Sequence, residues 1–371
     1  MNRIPFCAYD KLFSPYVEDI LKVTRSVVER GSFIMGQDLR DLELAIAKKV
    51  NIKHAVGVGN ATDGLEMLIA AHSIPKGAEV LVSAHTMAAT ASAVVACGGK
   101  AVPVDIDVFG MMDPVDLERH ITKNTWAIMP TQLNGAICQI DRIMEIANEY
   151  GLKVFEDSAQ AFSASLSGRF AGSFGCGGVF SFYPAKILGC LGDGGVIVTN
   201  DSAVYGKLLA LRDHGRTQDG DVISAGRNSR LDNLQAAYLN YFLENHFEGW
   251  ISHRRVLTEL YDQELSKFPN ITVPCYNFRP KHRSVFQNYE FLADNRDELE
   301  SWLRNGGVST LRQWSGKAIN HLTEFENNQR LPNVEKYFQK YLMLPLNHTV
   351  SVDQAHQICR LIGAFYDKNR S

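Results

Sequence analysis

The sequence predicts an α/β protein with a large domain built on a mostly parallel sheet and a smaller C-terminal α+β domain. Between about Ile52 and Asp201, short apolar runs typical of buried strands alternate with segments of helical periodicity. This alternation favours crossover connections, which produce parallel sheets covered on both faces. After about Asn240 the strict alternation ends, and 371 residues suffice for two domains.

The elements of the large domain follow one another along the chain. Apolar runs predict strands at residues 80–82, 101–104, 127–129, 154–155 and 196–198. Apolar residues with helical spacing predict helices at residues 63–72, 88–97 and 140–150.

The C-terminal part is predicted to contain helices at 253–267 and 296–305 and a strand at 288–292. A long helix begins near Leu231, and we place the domain boundary at its end. The large domain, including its N-terminal segment, then comprises residues 1–245, and the small domain comprises residues 246–371. The charged stretch at 279–283 is typical of a solvated loop, or of a loop that contacts a phosphorylated ligand.

Composition and charge exclude several classes of function. The 38 Lys and Arg residues against 41 Asp and Glu residues give a net charge of -3, which supplies no electrostatic reason to bind nucleic acid. No secretory signal and no apolar run of about 18 residues is visible, so we expect neither export nor a membrane span. Seven scattered Cys residues without a CxxC pair predict reduced thiols in a cytoplasmic protein without a metal site.

Two reactive side chains are predicted to meet at one edge of the sheet. Asp157 follows the strand at 153–155, at the carboxyl end where open α/β sheets hold ligands. Lys186 comes 29 residues later, just beyond another apolar strand. Alone, each residue is more often a surface or turn residue. Together they suit pyridoxal phosphate, which needs a lysine to form a Schiff base and an acid to keep its pyridine nitrogen protonated.

A phosphate site is predicted where the residues Gly59-Asn60-Ala61-Thr62-Asp63 precede a helix. Free backbone N–H groups at a helix start, aided by the helix dipole, favour a dianionic phosphate. Thr62 or Asp63 is equally compatible with a plain N-cap. The residues alone leave both interpretations open.

Four motifs resemble those of the PLP-dependent nucleotide-sugar aminotransferases, a branch of the aspartate aminotransferase fold (fold type I). They are the lysine motif FSFYPAKILGCLGDGGVIVTND at 180–201, the aspartate motif EDSAQAF at 156–162, the phosphate-binding turn GNATDGLEM at 59–67, and RNSRLDNLQAAYL at 227–239, the segment that each subunit lends to its neighbour. The resemblance extends from Gly36 to the MLPLN near Leu346.

The resemblance implies a transamination in two half-reactions. L-glutamate would donate the amino group and a nucleotide-linked ketosugar would accept it. Lys186 would form the Schiff base and move the proton, because desolvation near a cationic cofactor lowers the pKa of a lysine. Asp157 would face the pyridine nitrogen, and Gln160 would reach the phenolic oxygen of the cofactor.

The same resemblance implies a shared phosphate site. Ser181, with the backbone of Ala61 and Thr62, would hold the cofactor phosphate. Asn228 would cross the two-fold interface to the phosphate bound by the partner subunit. The expected assembly is therefore a homodimer with shared active sites.

Some positions depart from the usual family pattern. An aromatic residue that stacks on the pyridine ring usually follows Thr86, but here Met87 follows it and His85 precedes it, so either side chain is a candidate to cover the ring. Asn134 replaces a usual tyrosine and Phe162 a usual histidine. These changes are expected to line or border the sugar pocket.

The lysine motif indicates which carbon is aminated. Tyr183, Pro184, Leu188 and Asp193 match the form FSFYPxKxLGxxGDGG, which resembles enzymes acting on 3-ketosugars. We therefore expect amination at carbon 3, in the biosynthesis of a surface polysaccharide such as lipopolysaccharide O-antigen, a glycan or an antibiotic sugar. The alternatives are a 4-ketosugar aminotransferase, a PLP-dependent sugar dehydratase, in which a histidine replaces Lys186, and a PLP-binding regulatory protein.

Overall fold

The computed structural model describes residues 3–274, 281–325 and 329–368. Its helices are α1 (Tyr9–Leu12), α2 (Val17–Arg30), α3 (Gln37–Lys49), α4 (Ala61–Ala71), α5 (Ala88–Ala96), α6 (Pro114–Arg119), α7 (Ile140–Tyr150), α8 (Ser202–Arg212), α9 (Asn233–Asn245), α10 (Phe247–Leu265), α11 (Arg296–Asn305), α12 (Pro332–Tyr337) and α13 (Val352–Lys368). Its strands are β1 (His54–Val58), β2 (Glu79–Ser83), β3 (Lys100–Val104), β4 (Thr125–Met129), β5 (Lys153–Asp157), β6 (Ser165–Leu166), β7 (Arg169–Phe170), β8 (Gly177–Ser181), β9 (Gly195–Thr199), β10 (Ile271–Thr272), β11 (His282–Arg283), β12 (Tyr289–Ala293) and β13 (Tyr341–Leu344).

A seven-stranded sheet with the strand order β1-β9-β8-β5-β4-β2-β3 forms the centre of the protein. Strands β2, β3, β4, β5 and β8 pair in parallel. Strand β9 runs antiparallel to both of its neighbours, β1 and β8. The predicted α/β class with a mostly parallel sheet is confirmed, and the strand predicted at 196–198 is the one that runs the other way.

Alternate residues of the strands pack into two apolar layers, one on each face of the sheet. Val80 and Val82 of β2 lie in one layer, with residues of α4, α5 and α8. Leu81 lies in the other, with residues of α7, α9 and α10. Since successive side chains of a strand point to opposite faces, both layers exclude water from the sheet. This burial holds the carboxyl ends of the parallel strands at one rigid edge.

A second, antiparallel sheet with the order β10-β12-β13 follows in the C-terminal part, where α13 packs against α10 and α11. The chain changes direction at His246, between α9 and α10. This break lies next to the predicted domain boundary, which stays a prediction. Ile4 pairs with Val308, so the N-terminal segment reaches the C-terminal part of the chain.

Most predicted helices are present with shifted ends. Helices α7 and α11 match the predictions at 140–150 and 296–305, whereas α10 begins at Phe247, ahead of the predicted residue 253, because Trp250 and Ile251 are buried. Residues 279 and 280 of the charged stretch at 279–283 lie outside the described residues. Its last two residues, His282 and Arg283, form β11, which pairs with β6. None of the helices in the described ranges has the length and apolar character needed to cross a lipid bilayer.

Candidate active site

A cavity of about 340 Å³ opens at the carboxyl ends of β5 and β8. Six of the predicted site residues line it together: Ala61, Thr62, Asp157, Gln160, Ser181 and Lys186. Met87 lines it as well, and so do Thr86, Thr131, Asp193 and Trp314. The carboxyl ends of parallel strands therefore bring together residues that are far apart in the sequence.

Asp157 is the last residue of β5 and is buried. Its Oδ2 accepts a hydrogen bond of 2.6 Å from the Thr90 hydroxyl, and its Oδ1 accepts one of 3.1 Å from the Ala159 N–H. Burial raises the pKa of the Asp157 carboxyl above its ordinary value, while these hydrogen bonds and the charge of Lys186 lower it. Burial thus disfavours the ionised carboxylate, whereas the hydrogen bonds and the charge of Lys186 stabilise it.

Lys186 lies half-buried in the wall of the cavity, in the loop between β8 and β9. Burial lowers the pKa of its amine to about 8, while the negative charge of Asp157 raises it. An amine with such a pKa has an appreciable neutral fraction near pH 7, and only the neutral form is a nucleophile or a base.

The loop that carries Lys186 is fixed by a distant amide. Gln287 Oε1 accepts a hydrogen bond of 3.0 Å from the Ile187 N–H, and its Nε2 donates one of 3.0 Å to the Ala185 carbonyl. The two bonds hold the backbone on both sides of Lys186. Sequence reasoning missed Gln287, which lies 100 residues beyond Ile187.

The predicted phosphate-binding turn leads directly into α4. Asn60 is the N-cap, and its Oδ1 accepts a hydrogen bond of 2.9 Å from the Asp63 N–H. The open alternative that Thr62 or Asp63 is the N-cap is therefore wrong, because both residues lie inside the first helical turn. A Cβ atom on Gly195 would stand 2.8 Å from the Ala61 nitrogen, so only glycine lets β9 approach this turn so closely.

Gln160 belongs to a buried polar network that joins the sheet edge to the C-terminal part. Its Oε1 accepts a hydrogen bond of 2.7 Å from the Asn134 N–H, and its Nε2 donates one of 3.2 Å to Gln313 Oε1. Gln313 in turn donates to Asn134 Oδ1 and to Glu290 Oε2, at 2.7 and 2.9 Å. Asn134, one of the unusual positions, thus orients Gln160 through its backbone and Gln313 through its side chain.

The two candidates for covering the cofactor ring differ in position. Met87 is 54% exposed and lines the cavity. His85 is buried and does not line the cavity. Its ring stacks on Tyr341, with 4.9 Å between the ring centroids, and its Nδ1 lies 3.1 Å from the Gly110 carbonyl oxygen. Phe162 likewise packs into the core, against Phe180, Phe182 and Phe247.

Asn228 is exposed and lies outside the residues that line the cavity of its own chain. Its backbone forms a bridge with Asp213. The next residue, Ser229, is buried, and its Oγ accepts a hydrogen bond of 3.1 Å from the Gly59 N–H of the phosphate-binding turn. The contact of Asn228 with a partner subunit stays a prediction.

A second cavity of about 610 Å³ adjoins the first. Gln160, Tyr183, Lys186 and Trp314 line both cavities, so the Lys186 side chain stands where they meet. Trp314 and Ser315 have positive φ values of 47° and 59°, which is unusual for side chains of this kind and typical of strained functional sites. No local pattern in the sequence marked this tryptophan.

Fold and site together define the class of protein: a fold type I protein with an amine and a carboxylate beside a helix N-terminus. Residues 16–363 match the DegT/DnrJ/EryC1/StrS aminotransferase family, and the chain belongs to this family. The predicted family, the predicted fold, the prediction of an aminotransferase and the prediction of pyridoxal phosphate as its cofactor are confirmed.

Relatives of known activity agree with this membership. The dTDP-3-amino-3,4,6-trideoxy-alpha-D-glucose transaminase of Streptomyces venezuelae is 33% identical, with 96% of this chain and 94% of the relative covered. The UDP-2-acetamido-2-deoxy-3-oxo-D-glucuronate aminotransferase of Pseudomonas aeruginosa is 34% identical, over 90% of this chain and 92% of the relative. The crystal structure of S. venezuelae DesV in complex with a ketimine intermediate superposes with a TM-score of 0.93 and 31% identity, over 98% and 99% of the two chains.

Proposed function

We propose that this protein transfers an amino group from L-glutamate to carbon 3 of a nucleotide-linked ketosugar, with pyridoxal phosphate as its cofactor. The observation that carries the proposal is the meeting of Lys186 and Asp157 at one cavity, beside the N-terminus of α4. An amine, a buried carboxylate and a helix start are the three groups that this cofactor requires.

The residues of the cavity fit pyridoxal phosphate. The space of about 340 Å³ suits a small cofactor, and Asp157 offers a buried carboxylate for the ring nitrogen. Ala61 and Thr62 begin α4, so their N–H groups are free of helical partners and suited to the phosphate. Ser181 lies at the end of β8 in the same wall, where its hydroxyl adds a donor.

When bound, pyridoxal phosphate supplies an aldehyde that carries the amino group and a ring that withdraws electrons from the reacting carbon. Asp157 holds a proton on the ring nitrogen, which maintains this withdrawal. In one half-reaction Lys186 would move a proton from the α-carbon of glutamate to the aldehyde carbon of the bound cofactor, and in the other it would move a proton from that carbon to the accepting carbon of the sugar. The lowered pKa of Lys186, about 8, makes both transfers accessible near neutral pH.

Amination at carbon 3 is supported by the lysine motif and by the names of two relatives. Tyr183, Pro184, Leu188 and Asp193 match the motif form of the 3-ketosugar enzymes, and Tyr183 and Asp193 line the cavity. The two relatives above carry names that specify a 3-amino and a 3-oxo sugar. We assign the reaction to the cytoplasmic synthesis of a surface polysaccharide, a glycan or an antibiotic sugar.

Met87 is the better candidate to cover the cofactor ring, because its side chain lines the cavity whereas His85 packs against Tyr341. Gln160 is proposed to contact the phenolic oxygen through its amide nitrogen, because that NH₂ group has two donor hydrogens and Gln313 accepts only one of them. Both assignments concern cofactor geometry and leave the reaction class unchanged.

We further propose a homodimer in which Asn228 completes the phosphate site of the partner subunit. Several large apolar side chains are exposed on this chain, which supports a contact surface. Phe33 and Ile34 are 51% and 47% exposed, and Val222 and Ile223 are 61% and 60% exposed. A symmetric interface would use the same surface on both subunits.

The shared site is tested by mixing two inactive variants. A heterodimer of Lys186→Ala and Asn228→Asp chains contains one site with both defects and one site with neither, so activity should return after mild dissociation and mixing. If both parent variants are impaired and confirmed chain exchange restores nothing, Asn228 acts within its own subunit.

The reaction is tested in reverse, because aminosugar nucleotides are stable whereas ketosugars are not. Purified holoenzyme is incubated with 2-oxoglutarate and a panel of 3-amino and 4-amino sugar nucleotides, and glutamate formation is measured. Turnover of 3-amino sugars supports the proposal. Turnover confined to 4-amino sugars would instead establish the 4-ketosugar alternative.

The two remaining alternatives predict different behaviour. Lys186 argues against a sugar dehydratase, because the resembling dehydratases carry a histidine at this position. A regulatory protein would bind the cofactor but leave its visible absorbance band unchanged with any amino donor. Bleaching of that band by L-glutamate therefore separates a transaminase from a regulator.

A further inference from the structure

We propose that Thr131, Thr86 and Thr90 form a relay of hydroxyl groups that orients the Asp157 carboxylate and stabilises its negative charge. The three threonines are positioning residues that act through Asp157. This inference rests on the function proposed above and assigns to it residues for which the sequence analysis gave no role.

The relay is a continuous chain of short hydrogen bonds. The Thr131 hydroxyl donates to Thr86 Oγ1 at 2.7 Å, the Thr86 and Thr90 hydroxyls are 2.7 Å apart, and the Thr90 hydroxyl donates to Asp157 Oδ2 at 2.6 Å. All three threonines are at most 5% exposed. Thr90 is 0% exposed and does not line the cavity, so water has little access to replace its hydroxyl.

The direction of the chain follows from the number of protons. An ionised carboxylate only accepts hydrogen bonds, so Thr90 must donate its single proton to Asp157. Thr90 then accepts from Thr86, and Thr86 accepts from Thr131. All three O–H dipoles point toward Asp157, and aligned hydrogen bonds of this kind strengthen one another.

The backbone holds each hydroxyl in place independently of the others. Thr86 precedes α5 and Thr90 lies four residues later in its first turn, so both side chains lie on one side of the helix start. Thr131 follows β4 and forms a backbone bridge with Asp157, and its N–H donates to Ser83 Oγ at 3.1 Å. Two separate segments, the start of α5 and the end of β4, thus supply the hydroxyl groups of the relay, and Thr90 delivers the final hydrogen bond to Asp157 Oδ2.

The other groups that act on Asp157 do not form hydrogen bonds to its Oδ2. The Ala159 N–H bonds to Oδ1, the second carboxylate oxygen, and Lys186 acts on Asp157 through its charge. Burial opposes the ionised form, and the Thr90 hydrogen bond is the largest effect that counters it. A relay that fixes Oδ2 leaves the carboxylate in one orientation toward the cavity.

The first test compares two substitutions at Thr90 in the holoenzyme. Thr90→Val removes the hydroxyl but keeps the shape, and we expect kcat to fall roughly 10- to 100-fold with little change in the KM for glutamate, which is the effect of losing one charge-assisted hydrogen bond. Thr90→Ser keeps the hydroxyl and should stay within about threefold of wild type. Equal kcat values for the two variants would overturn the relay.

The second test asks whether Thr86 acts through Thr90. Thr86→Val alone should lower kcat by about threefold or more, and the same change should add almost nothing in the Thr90→Val background. Multiplicative effects in the double variant, or no effect of Thr86→Val alone, would show that Thr86 does not act through the relay. This comparison also separates the relay from a direct effect of Thr86 on the cavity.

Thr258 supplies a matched control. It is a buried threonine of α10, and within the described residues its Oγ1 has no hydrogen-bond partner. Thr258→Val should leave kcat and cofactor affinity unchanged. A loss equal to that of Thr90→Val would mean that any buried threonine has this effect, and the proposal would fail.

Cofactor affinity separates failure of the relay from failure of the proposed function. If wild-type holoenzyme is not bleached by any amino donor, the transaminase proposal fails irrespective of the threonines. The dissociation constant for pyridoxal phosphate, measured by fluorescence, should still rise several-fold in Thr90→Val and not in Thr90→Ser. If Thr90→Val does not fold, the comparison of Thr86→Val with Thr86→Ser decides by the same criterion.

Discussion

Glu156 and Asp157 are adjacent in β5, yet their replacement by amides should have opposite consequences. Successive side chains of a strand point to opposite faces, so Asp157 faces the cavity while Glu156 points into the layer on the other side. There the Glu156 carboxylate accepts four hydrogen bonds. The donors are the N–H groups of Phe174 and Gly175, at 2.6 and 3.4 Å, the N–H of Gly172 at 2.9 Å, and the Gln132 amide at 2.8 Å.

Glu156→Gln replaces one of the two carboxylate oxygens by an NH₂ group. If the remaining oxygen faces Phe174, the new NH₂ group faces two donors, Gly172 and Gln132. Gln132 cannot rotate its amide without losing the 2.8 Å bond that its Oε1 accepts from the Cys138 N–H. Two buried donors lose their acceptor, which lowers the free energy of unfolding by about 1–3 kcal/mol for each donor. Removal of a buried charge offsets part of this loss. We expect a net loss of stability of about 2–4 kcal/mol.

Asp157→Asn should behave in the opposite way. Its amide oxygen still accepts from Thr90, and only the Ala159 N–H loses its acceptor. Because removal of a buried charge offsets that loss, we expect the stability of the apoenzyme to stay within about 1 kcal/mol of wild type. The neutral amide no longer holds a proton on the cofactor ring, and kcat should fall by about two orders of magnitude while pyridoxal phosphate is retained.

Both variants are compared with wild type by urea unfolding of the apoenzyme and by initial rates of the holoenzyme. The reasoning is refuted if Glu156→Gln is as stable as wild type but inactive, or if Asp157→Asn keeps near wild-type turnover. In that case Glu156 would be the residue that faces the cofactor.

Three further predictions concern the same site. Lys186→Ala should abolish turnover and leave a folded dimer; a variant that still transaminates at the wild-type rate would show that the lysine is misassigned. Because burial lowers the pKa of Lys186 to about 8, the apoenzyme should take up pyridoxal phosphate faster as the pH rises through 8 and the amine becomes neutral. In Asp157→Asn this rise should move to lower pH, since the Asp157 charge raises the pKa of the lysine; an unmoved profile would contradict the coupling. Gly195→Ala should weaken cofactor binding about tenfold or more, because its Cβ would stand 2.8 Å from the Ala61 nitrogen. In the control Gly206→Ala, in α8, the added Cβ meets nothing within 4 Å, and the protein should gain up to about 1 kcal/mol of stability. Equal cofactor affinities in the two glycine variants would contradict the close approach.

The sequence by itself determined the pairing of Asp157 and Lys186. Each residue follows an apolar strand, and the carboxyl ends of parallel strands meet at one edge of a sheet, so local patterns suffice to bring the two together. The start of α4 was predictable for the same reason, since the turn and the helix that follow Gly59 are local features. The motif resemblance then specified the family, which the comparisons confirm.

Only the tertiary structure decided the contacts between distant segments. Thr90 reaches Asp157 across 67 residues, and Gln287 holds the loop of Lys186 across 100 residues. The direction of β9 could not be predicted from the sequence either, because a buried strand has the same apolar pattern whether it runs parallel or antiparallel to its neighbour. The positions of His85 and Met87 were hidden as well: His85 stacks on Tyr341, 256 residues further along the chain, whereas Met87 lines the cavity. Such contacts depend on which elements become neighbours, and local residue patterns do not specify neighbours.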